Sequence, residues 1–590
     1  MLNKSQKPKG KRQKWTLAPR AHENLVDHLI SLRKIDNPDA FFSPRFPEHL
    51  HNPFLMQGMD RAVNRVVRSL VRGEVLGIFA DYDADGTPGA ALLAEGLQAL
   101  GGKVAVYLPM RLEGYGLSER GIQALVDAKS TVMITIDLGV TGKTLVEHAT
   151  SLGLDVIITD HHTIQAEAFP EAALAVLNPK QIGCVYPDKN LCGAGIAWKL
   201  LSGILERVEK EHPNLLRGRS AESIRRWALD LAGIATIADL VPLSGENRLL
   251  AYYGLEVLRK TRRPGLRALY KVVGIDPAKI NATTVGFQIA PRLNAPTRMA
   301  AKKYTGTDIP GPQASVSLAL LLTQDLAEAE RLAELLHTYN MERQDELQKV
   351  LTAAEAQIAS DDLASHKALV VAGEEWPEGI VGLVAARLLE RYYRPTFVLS
   401  LSGEQAVGSA RSIDPFPLVE NMQKVRETLL GFGGHHKAAG LRLSRDQLEN
   451  FRTQLLVVAE KSLTDADLVP ELKLDAELTV DELTLAMADR LAAFAPHGLG
   501  NPRPVFYLPG MVVRDRRLMG KERQHLSIDI HFPQQPQTIY RVVAFGRGEE
   551  FEQFAPGSRH DFAIQVEVGY WQGVARLEIR MVDYRPSGDE

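Results

Sequence analysis

Short runs that are apolar at nearly every position alternate with amphipathic stretches between residues 75 and 162. The runs are VLGIFA (75–80), KVAVYLP (103–109), TVMITI (131–136) and DVIIT (155–159). Between them ALLAEGLQALG, LSERGIQALVDA and TGKTLVEHATSLG place their apolar residues at helical spacing. Strands alternating with helices predict parallel βαβ units, and continuous apolar strands predict a sheet covered on both faces. A mostly helical stretch follows, from about Cys192 to Gly274. From Pro312 to about Ser360 the pattern stays helical, with Leu332, Leu336, Tyr339, Leu347, Val350 and Leu351 on one face. That length predicts a spacer helix between two domains. ALVVAG (368–373) opens a second α/β region that runs to the glycine-rich GFGGHHKAAG (431–440). Beyond about Leu468, short alternating strands separated by turn residues predict a small β-barrel.

Composition narrows the class. Of 590 residues, 45% are hydrophobic and 24% charged, ordinary globular usage that excludes a disordered, collagen-like or purely coiled-coil chain. The net charge of −3 argues against a protein that coats nucleic acid over its whole surface, while leaving room for a local basic groove. Cys184 and Cys192 are the only cysteines, too few for a disulfide scaffold or a cysteine-rich zinc module, and they fit a reducing compartment. No run approaches the ~20 apolar residues of a membrane helix. The basic start (Lys4, Lys7, Lys9, Lys11, Arg12, Lys14) has no apolar segment after it. The expectation is a cytoplasmic protein without membrane association, carrying a solvated, mobile leader.

The candidate chemistry collects at strand ends. The first strand runs into Asp81-Tyr82-Asp83-Ala84-Asp85-Gly86, and its carboxylates repel one another unless a cation neutralises them. The third strand ends on Asp137 and the fourth on Asp160-His161-His162. In an open parallel sheet, ligands bind at the carboxyl ends of strands, which is where these residues fall. Asp239, in GIATIADLVPL, has apolar neighbours, and a buried charge must be paired or bound to metal. Oxygen-rich sets suit Mg²⁺ or Mn²⁺, and added imidazole tilts the choice toward Mn²⁺. The carboxylates outnumber the needs of one ion, and a pair of ions serves phosphoryl hydrolysis. HExxH, GxxxxGK[ST] and GxSxG motifs are absent from the sequence, which lowers protease, P-loop and serine-hydrolase readings. Arg111, Arg292, Arg298 and Arg411, the last beside Ser409, suit a polyanionic substrate. In the barrel region Arg514, Arg516, Arg517, Lys521 and Arg523 form a basic run, and Phe545, Tyr570 and Trp571 offer stacking surfaces. Basic residues interleaved with aromatics are the single-strand-binding pattern of OB-folds.

DYDADG, ITIDLG, TDHH and TIADLVPL, in that order, resemble the metal motifs of the DHH phosphoesterase superfamily. LCGAGIAWKL, PRLNAPTRM, EGIVGLVAARLLE, GSARS, GGHHKAAG and PHGLGNPRPVF narrow the resemblance to its bacterial single-stranded-DNA exonucleases, from about residue 50 to residue 585. The resemblance implies an α/β chain. A leader and extension (1–48) precede a parallel-sheet DHH catalytic lobe (49–310), and a long connecting helix (311–360) leads to a smaller glycine-rich α/β lobe (361–462) and an OB-fold barrel (463–590). It implies 5′-to-3′ hydrolysis of single-stranded DNA to 5′-mononucleotides with two Mn²⁺ or Mg²⁺ ions, in recombination and repair. By motif position it implies Asp83, Asp85, Asp137, His161 and Asp239 as metal ligands, with Asp81, Asp160 and His162 in or beside the cluster. Arg292 would face the scissile phosphate, with Arg298 also catalytic. Arg111, Ser409 and Arg411 would form the pocket for the 5′ end, with Tyr115 among the substrate-binding residues. His435, His436, Arg517 and Trp571 would also contact DNA. The implied associates are single-strand binding protein and a helicase, the implied state a monomer.

Four places depart from the family pattern. They are Leu138 after Asp137, Pro377 in WPEG, Pro296-Thr297 before Arg298, and Thr87-Pro88 after the acidic turn. None removes an implied ligand, so they bear on substrate positioning and rate rather than on metal binding. Two rival functions compete with the exonuclease. One is a DHH phosphodiesterase for short oligonucleotides, which would have no use for the barrel. The other is a DNA-binding paralogue weakened in catalysis, which would have no use for an intact ligand set.

Overall fold

The computed structural model describes residues 13–110, 113–303 and 315–588. The chain divides into two units, one of residues 39–345 with 496–502, the other of the chain up to 38, 346–495 and from 503 onward.

In the first unit, strands β1 (Val75–Ala80), β2 (Lys103–Tyr107), β3 (Ser130–Ile136), β4 (Asp155–Thr159) and β5 (Ala175–Leu177) form a parallel sheet in the order β2-β1-β3-β4-β5. Alternate residues serve opposite faces, as a two-residue period requires. Leu76, Ile78, Ile134, Ile136 and Ile157 join one apolar cluster, while Phe79, Met133, Val156 and Ile158 join another. That is why these runs are apolar throughout. The three-residue β5 is too short to stand out in the sequence, which predicts only four strands. The strand order reverses beside β1: the chain steps outward to β2, then returns past β1 to β3. Such a switch opens a crevice at the carboxyl ends of β1 and β3.

The helical stretch expected over 312–360 differs in detail. Ser315–Leu322 forms one helix and Leu326–Ser360 a second of 35 residues. Between them Asp325 caps the second helix, its carboxylate accepting the Glu328 N–H at 2.8 Å.

In the second unit, β6 (Leu369–Glu374), β7 (Thr396–Ser402), β8 (Gln405–Arg411), β9 (Gly431–Gly434) and β10 (Ala438–Ser444) form a mixed sheet in the order β9-β10-β8-β7-β6. The same unit holds β11 (Ala476–Glu477), β12 (Phe506–Met519), β13 (His525–His531), β14 (Tyr540–Ala544), β15 (Arg559–Trp571) and β16 (Val574–Pro586). β12-β13-β14-β16-β15 close into a ring through the β12–β15 pairing, with β14 and β16 parallel. This is the five-stranded closure of an OB-fold. The expected leader departs from expectation from residue 13 onward: Lys14–Leu17 pairs in parallel with Glu471–Leu474, and Leu25–Leu32 is helical. Trp15 is pinned by its indole N–H to Asp583 (3.2 Å) and edge-on against Tyr507. Apolar surface at Trp15 outweighs the basic character of its neighbours. Residues 1–12, which carry most of that charge, lie outside the described residues.

Candidate metal centre and substrate-binding residues

The backbone places three aspartates side by side. Ala80, Ile136 and Thr159 are in register across β1, β3 and β4. The next amides continue the ladder: Asp81 N–H donates to Ile136 O (3.1 Å), Asp137 N–H to Thr159 O (2.9 Å) and Asp160 N–H to Leu177 O (3.1 Å). Asp81, Asp137 and Asp160 therefore line one rim of the crevice.

Local turns set each carboxylate. Asp83 accepts the N–H groups of Asp85 (2.8 Å) and Gly86 (3.1 Å), so the acidic segment folds back on itself. A Cβ on Gly86 would stand 2.4 Å from the Asp81 carbonyl, so the turn requires glycine. Asp85 accepts the N–H groups of Gly193 (2.7 Å) and Ala194 (2.8 Å) at the start of helix Gly193–Glu211. Its charge is thereby favoured by the positive end of that helix. Asp137 adopts φ 64°, a left-handed turn. Asp239 closes helix Leu229–Ala238, and Leu240 after it takes φ 59°.

His161 gathers the set. Its Nε2 lies 3.1 Å from Asp137 Oδ1, 3.7 Å from Asp239 Oδ2 and 3.9 Å from Asp85 Oδ2. Asp160 does different work. Its Oδ1 accepts from the His162 backbone (3.0 Å) and ring Nδ1 (2.7 Å), and its Oδ2 from Val140 N–H (2.8 Å). Both oxygens are used, so Asp160 orients His162. The Tyr115 hydroxyl donates to the Asp137 carbonyl (3.0 Å) and stands 3.1 Å from His162 Nδ1.

The electrostatics call for cations. Burial, reinforced by Asp83, pushes Asp85 up to about 6 despite its two N–H partners. Burial and the facing Asp85 and Asp83 push Asp239 up to about 9, and the same causes hold Asp137 well above the carboxylate range. Burial acts against the charge of Asp160 as well, but the His162 hydrogen bond outweighs it and holds Asp160 low. Asp137 Oδ1 is buried and accepts no hydrogen bond among the described residues. Ligand atoms of Asp81/Asp83/Asp137, Asp85/His161/Asp239 and Asp137/His161/His162 each lie within 4.8 Å of one another. Oxygen donors with one or two imidazoles fit Mn²⁺ or Mg²⁺.

Residues that sequence reasoning passed over support this cluster. Asn178, fully buried just after β5, donates to the His162 carbonyl at 3.0 Å, and Lys180 Nζ donates to the His161 carbonyl. A fifth strand ending in Asn-Pro-Lys is their only signal. The loop at Asp239 is braced by PHGLGNP: Leu243 N–H donates to Leu499 O (2.7 Å) and Arg248 Nη1 to Pro496 O (3.3 Å).

The arginines fall elsewhere. Arg292 and half-buried Arg298 share helix Ala290–Lys303, and Arg292 bonds His337 and the Gln288 carbonyl rather than the carboxylates. Arg111 lies outside the described residues. In the second unit, Arg411 Nη1 donates to Ser409 Oγ (2.9 Å), and burial lowers its pKa. A Cβ on Gly382, near the start of helix Glu378–Tyr392, would stand 3.1 Å from Ser409 Oγ and 3.2 Å from Arg411 Nη2. His435 and His436 are exposed in the β9–β10 turn, His436 against the Asp414 carbonyl (3.0 Å). Arg517 on the barrel is paired with Asp529 (3.1 Å), which Arg541 shares. Nothing is described of the Trp571 side chain.

Of the departures, Leu138 is fully buried in the same apolar cluster as Phe79 and Ile158. Thr87 and Pro88 are buried in the first turn after the acidic segment, Pro377 caps helix Glu378–Tyr392, and Pro296 stands inside the Arg292 helix.

Three family models match the chain: the DHH family N-terminal domain over residues 76–232, the DHHA1 domain over 365–460 and the RecJ OB domain over 474–583. The single-stranded-DNA-specific exonuclease RecJ of Bacillus subtilis is 36% identical over 564 residues, 95% of this chain and 67% of that protein. The crystal structure of RecJ from Thermus thermophilus with Mn²⁺ superposes with a TM-score of 0.78 at 28% identity, covering 98% of this chain and 80% of that one. The corresponding Mg²⁺ structure gives 0.72 at 26% identity, covering 98% and 79%.

Proposed function

Because this chain belongs to the RecJ family of single-stranded-DNA-specific exonucleases, we propose that it degrades single-stranded DNA from the 5′ end, releasing 5′-mononucleotides. It is a metal-dependent phosphodiester hydrolase, with Mn²⁺ or Mg²⁺ as cofactor. The observation that carries the reading is the row of strand-end aspartates converging on His161, with Asp137 Oδ1 buried and accepting no hydrogen bond among the described residues. Asp83, Asp85, Asp137, His161 and Asp239 would hold two divalent cations, with Asp81 at their edge. When bound, such cations activate water and neutralise charge developing on a phosphoryl group.

The remaining groups have distinct tasks. Asp160 fixes the ring of His162, and Tyr115 ties that ring to the Asp137 carbonyl. Arg292 offers its guanidinium to the scissile phosphate, where a fork of N–H donors suits the charge that develops. Arg298 serves the same phosphate from the same helix. Arg411 with Ser409 takes the 5′ end, supported by the half-buried guanidinium that donates to Ser409 Oγ. Arg111 is assigned to the 5′ end as well. His435, His436, Arg517 and Trp571 grip the strand. The protein would act in recombination and repair, beside a helicase and single-strand binding protein, as a cytoplasmic monomer. No helix among the described residues is long and apolar enough to cross a membrane. The RecJ OB domain match disfavours a small-substrate phosphodiesterase.

The test is digestion of a 5′-phosphorylated single strand labelled at either end, with Mn²⁺. Parallel samples are a duplex, a dinucleotide and the Asp83→Ala protein. Mononucleotides released from the 5′ end of the single strand alone, and lost in the variant, are expected. Tight strand binding without cleavage would overturn the proposal in favour of a binding paralogue.

A further inference from the structure

Arg292 is the cation that the proposed function sets at the scissile phosphate, and the role inferred below for its neighbour His337 rests on that assignment. Among the described residues, the Arg292 guanidinium is held without a carboxylate. Nε and Nη2 donate to His337 Nδ1 at 3.3 and 3.2 Å, and Nη1 donates to the Gln288 carbonyl at 2.6 Å. Two backbone irregularities flank Arg292. Val285–Ile289 is a π-helical turn, closed by Ala290 N–H on Val285 O, and Gln288 within it supplies the carbonyl that Arg292 Nη1 reaches. Four residues beyond Arg292 stands Pro296, which has no N–H to return to the Arg292 carbonyl.

An imidazole nitrogen accepts an arginine N–H only when it carries no proton, so His337 is neutral with its hydrogen on Nε2. Burial and the charge of Arg292 favour that state, while Glu334 on the same helix opposes it. Arg343, from the helix of His337, adds a further positive charge near Arg292. A guanidinium has five N–H donors. The anchoring uses one on each nitrogen and leaves one on Nη1 and one on Nη2, the outer fork that matches two phosphate oxygens. A carboxylate in place of His337 would grip Arg292 harder but would neutralise it. A neutral imidazole orients the guanidinium and leaves its charge for the substrate.

We propose that His337 is a positioning residue, whose neutral Nδ1 aims the outer fork of Arg292 at the DNA phosphate without neutralising it. The test compares His337→Leu, His337→Gln, His337→Glu, Arg292→Ala and the Arg292→Ala/His337→Leu double variant in the full chain. Steady-state rates are measured on a 5′-phosphorylated single strand with Mn²⁺, and melting temperatures alongside. His337→Leu is expected to lower kcat by about tenfold to a hundredfold, the scale of a misplaced reacting group. KM should move by less than about threefold, because the lost interaction belongs to the transition state. Glutamine, whose amide oxygen accepts the same donors, should recover most of the rate. Glutamate should hold Arg292 yet lower kcat, because it neutralises the charge that the transition state uses. In the Arg292→Ala background, His337→Leu should cost nothing further. Three results would each overturn the proposal: unimpaired His337→Leu, a glutamine variant no better than leucine at equal melting temperature, or losses that add in the double variant. Full turnover in Arg292→Ala would remove the assigned role of Arg292 itself, and the positioning role with it.

Discussion

At the scale of single residues, carboxylates of one chemistry divide into two kinds by their partners. Among the described residues, Asp137 keeps an oxygen without a hydrogen bond, whereas both oxygens of Asp160 are taken by Val140 and His162. Asp160→Asn presents an amide donor to groups that are themselves donors. It should weaken metal-dependent activity about 10- to 100-fold, the usual effect of losing a residue that orients a group at a metal site. The Mn²⁺ concentration giving half-maximal rate reads this, and an unchanged value would refute it. Glu74 shows the opposite economy, away from the site. Burial raises its pKa, but hydrogen bonds from Arg65, Ser69 and Thr131 dominate and bring it down to about 2 from 4.5. A depressed folded value means stability present above pH 4.5 and lost as pH falls toward 2. Glu74→Gln should therefore destabilise by about 1.5–3 kcal/mol at pH 7, the range for hydrogen bonds to charged groups. The difference from wild type should shrink at pH 3, as urea midpoints at the two pH values would show.

At the scale of elements, the site depends on segments distant in sequence. PHGLGNP packs on the loop that follows Asp239, and two glycines make the approach possible. A Cβ on Gly498 would stand 2.7 Å from Leu243 Cδ1, and Gly500, at φ +74°, would bring one to 3.0 Å from Pro242 Cβ. Gly500→Ala should destabilise by about 1–2 kcal/mol, the cost of a left-handed non-glycine residue. Because the strained segment braces Asp239, the Mn²⁺ requirement should rise as well. A melting shift with unchanged Mn²⁺ dependence would separate the brace from the site.

At the scale of the whole molecule, the chain holds two units, and the acidic cluster belongs to one of them. Mn²⁺ should stabilise that unit by about 2.7 kcal/mol at a hundred times its dissociation constant. Calorimetry should show one transition moving upward with Mn²⁺ and returning with chelator, while Asp137→Ala abolishes the shift. Two transitions moving together would mean that the units unfold as one.

The parallel sheet, the barrel and the acidic strand ends were legible in the sequence, because each is a local pattern: an apolar run, an alternation, an aspartate where a strand stops. Three strand-end aspartates falling in one row needed only the assumption of a parallel sheet. The three-residue β5, the ordered strand at Lys14–Leu17 and the break at Asp325 were not legible. Their stability comes from partners far along the chain or from a single capping bond, neither of which leaves a periodic signature. Sequence alone likewise marked Asp81, Asp160 and His162 as members of the cluster without dividing their tasks. Only the tertiary structure decided that Asp160 orients a histidine, that Asn178 and PHGLGNP brace the site, and that His337 holds Arg292. Residue type follows from sequence, but what a polar atom does depends on which other atoms reach it, and those contacts exist only once distant segments have packed together.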